Sequence, residues 1–149
     1  IADLGIPQIQ SEMEISPQLI EASTGSMVPA EHLRGEPILA LCGIAQPLTF
    51  YHALIRLGLE PETVRYYPDH YRYSDDDMAY LSGLTEDNRL TVVTTEKDAV
   101  KLDRGFLVDH RVYAVRIDFR LTGQELKTFQ DTLVQYLPLP QLTPAAGEA

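Results

Sequence analysis

The chain is poor in the residues that announce covalent or electrostatic function. Cys42 is the only cysteine in 149 residues, which excludes an internal disulfide and fits a reducing compartment. It lies in an apolar run, where a small core side chain is a simpler role than a nucleophile. Lysine and arginine number 12 against 22 acidic residues, a net charge of −10. That balance argues against a nucleic-acid-binding surface and against simple adhesion to anionic lipid. No run of 18 apolar residues occurs and no signal-peptide pattern opens the chain, so no transmembrane segment is expected in it. His32, His52 and His110 have no companions at metal-ligand spacing, so no zinc site is expected. No Gly-x-x-x-x-Gly-Lys-Ser/Thr and no Gly-x-Gly-x-x-Gly stretch is present, which leaves no phosphate-binding loop of a recognisable kind. What remains is the composition of an ordinary soluble globular domain, long enough to bury its own core. The first residue is Ile1 in place of Met, as in a processed product or a piece of a longer chain.

One stretch stands out. Tyr66-Tyr67-Pro68-Asp69-His70-Tyr71-Arg72-Tyr73 gathers tyrosines, a carboxylate, an imidazole and a guanidinium around one proline. Pro68 removes a backbone donor and holds Tyr67 extended, so a strand arriving through Thr63 to Tyr66 is expected to stop there. Ser74 and Asp77 have capping-box spacing, and Asp75 and Asp76 then fall in the first helical turn, where the dipole favours them. The aspartates are therefore read as helix-start chemistry in preference to a metal cluster. His70 lies between strand and helix, where neither capping nor packing asks for a histidine, and is the leading candidate for function. Neighbours in extended chain point to opposite faces, so Asp69 is not automatically the partner of His70, and satisfying backbone amides in the loop is its alternative role. As a general base or its orienter, His70 would take its carboxylate from elsewhere.

Residues 1–35 carry little periodic signal. Glu12 to Ile15 alternates and Gln18 to Ala22 follows Ser16-Pro17, which predicts a ribbon of two short strands and a boundary near Gly35. From Pro37 the pattern sharpens. Ile38 to Cys42 is a continuous apolar run, as in a strand covered on both faces. A turn through Gly43 leads to Pro47 at a first helical position, and Leu48, Tyr51, Leu54 and Ile55 recur at helical spacing before Gly58. The Thr63–Tyr66 strand and a helix from Asp75 to about Leu81 follow, with Gly83 as separator. Leu90 to Thr94 is a second buried-type strand. Thr95 has N-cap spacing with Asp98, and Ala99, Val100 and Leu102 are expected on the apolar side of the helix it starts. Val112 to Ile117 alternates as a fourth strand. Thr122 with Glu125 predicts a capped last helix, with Leu126, Phe129, Leu133 and Tyr136 on one face. The alternation predicts a parallel-sheet, three-layer α/β/α domain over residues 36–149, with residues 1–35 a linker or β-ribbon segment outside its core.

Right-handed crossovers bring the strand-to-helix turns to one edge, and open sheets bind ligands there. That edge gathers Gly43, the pair Asp69 and His70, and the block Thr94, Thr95, Glu96, Lys97 and Asp98. A helix start at Thr95 offers N–H groups to a phosphate or carboxylate, with Lys97 adding positive charge while Glu96 and Asp98 oppose an anion. A capped helix with a surface charge cluster is the plainer reading. Gly43 permits close backbone approach, and equally an ordinary tight turn. The residues alone support an α/β domain with a polar edge. A free-standing module binding an anionic small molecule fits them, as does a docking domain whose His70 is merely hydrogen-bonded.

Three blocks in order resemble the tetraacyldisaccharide 4'-kinase family: Leu41-Cys42-Gly43-Ile44-Ala45-Gln46-Pro47, Tyr67-Pro68-Asp69-His70-Tyr71-Arg72-Tyr73-Ser74, and Val93-Thr94-Thr95-Glu96-Lys97-Asp98-Ala99-Val100-Lys101-Leu102. The likeness runs from about Leu33 to Ile117 and covers only that family's C-terminal half. It implies ATP-dependent phosphorylation of the lipid A precursor at its 4' position, with ATP and Mg2+ as cofactors. The family's other half carries the membrane-anchoring helix, the phosphate-binding loop, the magnesium ligands and a catalytic aspartate, so this chain alone is expected to be inactive. The implied partners are the lipid A disaccharide precursor and the N-terminal P-loop domain of the same enzyme. The implied place is the cytoplasmic side of the bacterial inner membrane, with this chain by itself soluble and cytoplasmic. Residues 1–35 become part of an inter-domain region and 36–149 the C-terminal α/β domain. Asp69 and His70 match the family's Asp-His pair, whose histidine faces the cleft and supports the catalytic aspartate of the other domain. Thr94 to Asp98, with Gly43, fall on the substrate or nucleotide side of that cleft. Ala45 and Gln46 stand where the family usually has Gly and Asn.

Overall fold

The computed structural model describes residues 9–121 and 123–136. Its elements are β1 (Glu12–Glu21), β2 (Met27–Pro29), a 3-10 turn (Ala30–Leu33), β3 (Ile38–Cys42), α1 (Pro47–Arg56), β4 (Pro61–Tyr66), α2 (Asp75–Asn88), β5 (Thr91–Thr95), α3 (Glu96–Ala99), α4 (Arg104–Asp109), β6 (Val112–Arg120) and α5 (Gly123–Tyr136). Six strands form one sheet in the order β2-β1-β6-β5-β3-β4. β3 pairs in parallel with β4 and β5, and β5 with β6, while β1 and β2 are antiparallel. The parallel α/β architecture expected from the alternating pattern is the one observed.

The chain divides into two compact units, Ile15–Asp118 and the two segments Ile1–Glu14 and Phe119–Ala149. In the first, β3 and β5 are buried at every position, as continuous apolar runs require. Alternate residues serve opposite faces. Ile38, Ala40, Cys42 and Val93 pack with Phe50 and Leu54 of α1. Leu39, Leu41 and Val92 pack with Leu81 of α2, Leu102, and Phe106 of α4. Helices thus cover both faces, which makes three layers. Each fully buried leucine or isoleucine contributes about 1.5–3 kcal/mol. In the second unit, α5 has no buried residue, the Gln10 N–H donates to Glu125 at 3.1 Å, and Arg120 pairs with Glu14 at 3.0 Å.

Several local expectations give way to tertiary context. The N-terminal ribbon is one ten-residue strand, β1, hydrogen-bonded to β2 through the turn at Thr24, Gly25 and Ser26. Pro17 falls just beyond the β2 register, which ends at Gln18 with Pro29, so no ladder bond to β2 is lost there. Leu19, Ala30 and Leu33 are buried in the same cluster as α1, so part of the segment before Gly35 belongs to the core, contrary to expectation. Gly83 does not end α2. The helix runs on to Asn88 and stops at Arg89, which has a left-handed φ of 53°. An interior glycine costs only about 1 kcal/mol, which a 14-residue helix with a formed N-terminal box tolerates. Val100 is 84% exposed, outside the apolar side assigned to it, while Ala99 and Leu102 are buried. α4, capped by Asp103, was not anticipated. The expected Thr122 cap lies outside the described residues.

Candidate functional site

Chain connectivity selects one place on the sheet. From β3 the chain moves to β4 on one side, whereas from β5 it moves to β6 on the other. The carboxyl ends of β3 and β5 therefore flank a topological switch point, where open α/β sheets form their binding crevice. Gly43 follows β3 there, and Thr95 ends β5.

A buried carboxylate joins the two strand ends. Asp98 is 0% exposed. Its Oδ2 accepts from the Gly43 N–H at 2.8 Å and from the Thr95 hydroxyl at 2.8 Å, and its Oδ1 accepts from Lys101 Nζ at 2.8 Å. The Asp98 N–H in turn donates to the Thr95 hydroxyl at 3.1 Å, which is the N-cap expected from sequence. The capping box is not completed, because the carboxylate turns towards Gly43. A Cβ at Gly43 would lie 3.3 Å from Asp98 Oδ1 and 3.2 Å from the Pro68 carbonyl. Of the two readings of Gly43, close approach is the one realised. Cys42, beside it, is buried, and desolvation pushes its thiol up to about 11, as suits a core side chain.

The loop after β4 folds onto the same edge. The Tyr67 N–H donates to the Cys42 carbonyl at 2.9 Å, and the Tyr71 N–H to the Pro68 carbonyl at 3.1 Å. The Tyr67, Tyr71 and Tyr73 rings form a cluster, with centroids 4.6, 5.0 and 5.5 Å apart. Tyr71 donates its hydroxyl to Asp77 at 3.0 Å, and that same carboxylate closes the Ser74 capping box. The bonds from Ser74 hold the Asp77 carboxyl below the ordinary carboxylate range. Burial, with Asp98 a smaller influence, raises the Tyr73 phenol. The Tyr73 hydroxyl and the fully buried Thr94 hydroxyl have no hydrogen-bond partner among the described residues.

His70 occupies the tip of this loop. Its φ is 59° and its side chain is 85% exposed. The loop is a turn and not extended chain, so the expected separation from Asp69 does not hold. The His70 N–H donates to Asp69 Oδ1 at 3.0 Å, and Nε2 lies 3.6 Å from Asp69 Oδ2. At this exposure the pair contributes little to stability. Gly43, Thr95 and Asp98 are thus in direct contact, while Asp69 and His70 pair at the neighbouring loop tip. Glu96 and Lys97 are exposed, and α3 spans only four residues. Sequence reasoning missed Lys101 and the Tyr73 hydroxyl. Lys101 lies three residues after Asp98, the helical pairing distance, which was the available signal.

The family model described as Tetraacyldisaccharide-1-P 4'-kinase matches residues 3–137. The chain belongs to this family. A tetraacyldisaccharide 4'-kinase of Anaeromyxobacter sp. (strain Fw109-5) is 37% identical over 107 residues, covering 72% of this chain and 29% of the relative. One from Acidovorax sp. (strain JS42) is 41% identical over 98 residues, covering 66% and 27%. The chain thus spans under a third of the length of these curated relatives. A crystal structure of LpxK from Aquifex aeolicus, described as an "apo" form in complex with ATP, matches 89% of this chain and 38% of its own, with a TM-score of 0.59 and 26% identity. The α/β fold read from the sequence agrees with that neighbour.

Proposed function

We propose that this chain is the C-terminal part of an ATP-dependent kinase that phosphorylates the 4' position of tetraacyldisaccharide 1-phosphate in lipid A biosynthesis. The family match over residues 3–137 carries the reading. The solved relative described with ATP supports ATP as phosphoryl donor. Residues 36–149 are assigned to the enzyme's C-terminal α/β domain, whose core also takes in Leu19, Ala30 and Leu33.

Among the described residues no group of three His, Cys, Asp or Glu could hold a metal ion, and the Asp98 carboxylate is already taken up by three donors. Metal and nucleotide phosphates are therefore assigned to an N-terminal P-loop domain of the same enzyme. No helix among the described residues is long and apolar enough to cross a membrane, and attachment to the cytoplasmic side of the inner membrane is assigned to that other half. Phosphoryl transfer depends chiefly on positioning and charge stabilisation. This chain's contribution is a cleft wall: His70, with Asp69 beside it, orients the catalytic carboxylate of the partner domain, and the edge from Gly43 to Asp98 holds that loop in place.

The test incubates the full-length kinase, and separately this chain, with ATP, magnesium and tetraacyldisaccharide 1-phosphate. The full-length protein is expected to give 4'-phosphorylated product and this chain none. A folded full-length protein without turnover would overturn the kinase reading. Turnover by this chain alone, abolished by a point substitution within it, would overturn the division of labour.

A further inference from the structure

We propose that Lys101 is a positioning residue for the reaction, acting through Asp98 to set the geometry of the reactive edge; this rests on the kinase reading above. Asp98 is fully buried, and among the described residues Lys101 is its only ion-pair partner. The lysine side chain is 26% exposed and held at 2.8 Å, unlike the exposed Lys97. A buried carboxylate keeps a defined position only while its charge is matched and its lone pairs are occupied.

Everything on the edge is referred to that position. Asp98 Oδ2 takes the Gly43 N–H, and the site where a Gly43 side chain would stand is bounded by Asp98 Oδ1, the Pro68 carbonyl and Tyr71 Cβ at 3.3, 3.2 and 3.5 Å. Pro68 and Tyr71 bracket Asp69 and His70, and the same loop is tied back to β3 through Tyr67 N–H and the Cys42 carbonyl. The chain of contact therefore runs from Lys101 to Asp98, to Gly43, and on to the His70 loop. With Lys101 replaced by an uncharged side chain, Asp98 loses its counter-charge and the turn packed on it shifts.

The test compares Lys101→Met, Lys101→Gln and Lys101→Arg in the full-length kinase by kcat, KM for ATP and melting temperature. Misplacement of a reacting group by about 1 Å costs up to ~100-fold, so Lys101→Met is expected to lower kcat by about 10- to 100-fold per folded molecule with KM little changed. Lys101→Gln, which keeps a donor, falls between, and Lys101→Arg, which keeps the charge, recovers most of the rate. In this chain, the Gly43 amide resonance is expected to move on Lys101→Gln. Equal kcat per folded molecule in all three variants, or an unmoved Gly43 amide, would overturn the proposal. Failure of the kinase reading looks different, because the wild-type enzyme itself would then turn over no substrate.

Discussion

The Gly43 amide donates to Asp98 Oδ2 at 2.8 Å across 55 residues of sequence, and so fastens together the ends of two adjacent parallel strands. A buried carboxylate in such a place is tolerated because each of its needs is met: a backbone amide, a hydroxyl and an ammonium group all point at it. Removing it strands all three donors. Asp98→Ala is expected to cost about 3–5 kcal/mol, the range for breaking a buried charged pair from one side. Urea unfolding of wild type and variant measures it. A loss under about 1 kcal/mol would mean that water replaces the carboxylate without penalty.

Gly43 and Gly83 give opposite expectations for the same substitution. A methyl at Gly43 would meet the Pro68 carbonyl, a backbone atom that cannot rotate away, as well as the Asp98 carboxylate. Gly43→Ala is therefore expected to destabilise by about 1–3 kcal/mol, as overpacking does. Gly83 lies inside α2 with nothing within 4 Å of its added Cβ. Gly83→Ala is expected to stabilise by about 0.5–1 kcal/mol through helix propensity. Denaturation midpoints of the two variants, measured side by side, check the contrast.

The sequence shows what depends on neighbours along the chain and hides what depends on neighbours in space. The apolar runs at Ile38 and Leu90, the Ser74 box and the Thr95 cap are local, and the structure contains each of them. With parallel strands and short turns, the polar edge followed directly. β1 was not legible as part of the core, because its value comes from lying beside β6, which is distant in sequence. Asp98 looked like one surface charge in Glu96-Lys97-Asp98. Only the approach of Gly43 turns it inward, and that in turn makes Lys101, rather than Lys97, the matched cation.

The opposite edge supplies a pH prediction. Arg111 donates to both Glu36 oxygens at 2.7 and 3.0 Å, and Thr91 adds a hydroxyl at 2.8 Å. The Arg111 hydrogen bonds are the main reason the Glu36 carboxyl is held below its ordinary value of 4.5. The unfolded chain thus takes up its proton first as pH falls. The stabilisation is present above pH 4.5 and is lost as pH drops through the folded-state value. Arg111 is more than half exposed, so the effect is at most about 1 kcal/mol. Melting temperatures of wild type and Glu36→Gln are expected to differ by a constant amount at neutral pH and to converge as pH falls below 4.5.

His70 gives the sharpest separation between scaffold and function. Its ring is 85% exposed and its recorded partner is Asp69, so little folding energy rests on it. Its left-handed backbone suits histidine somewhat better than alanine, so His70→Ala adds only a small strain. Melting temperature should therefore stay close to wild type. If the imidazole orients the partner domain's carboxylate, its loss acts on the transition state and not on ground-state binding. In the full-length kinase, kcat is expected to fall by roughly 10²–10⁴-fold while KM for ATP changes little. Asp69→Asn keeps the loop's backbone acceptor but removes the charge beside Nε2, and is expected to lower kcat less than His70→Ala does. Steady-state kinetics and melting curves on the same preparations decide the matter. A His70→Ala enzyme with near-normal kcat would show that an exposed, positively twisted histidine at this edge is only a turn residue, and the orienting role would be withdrawn.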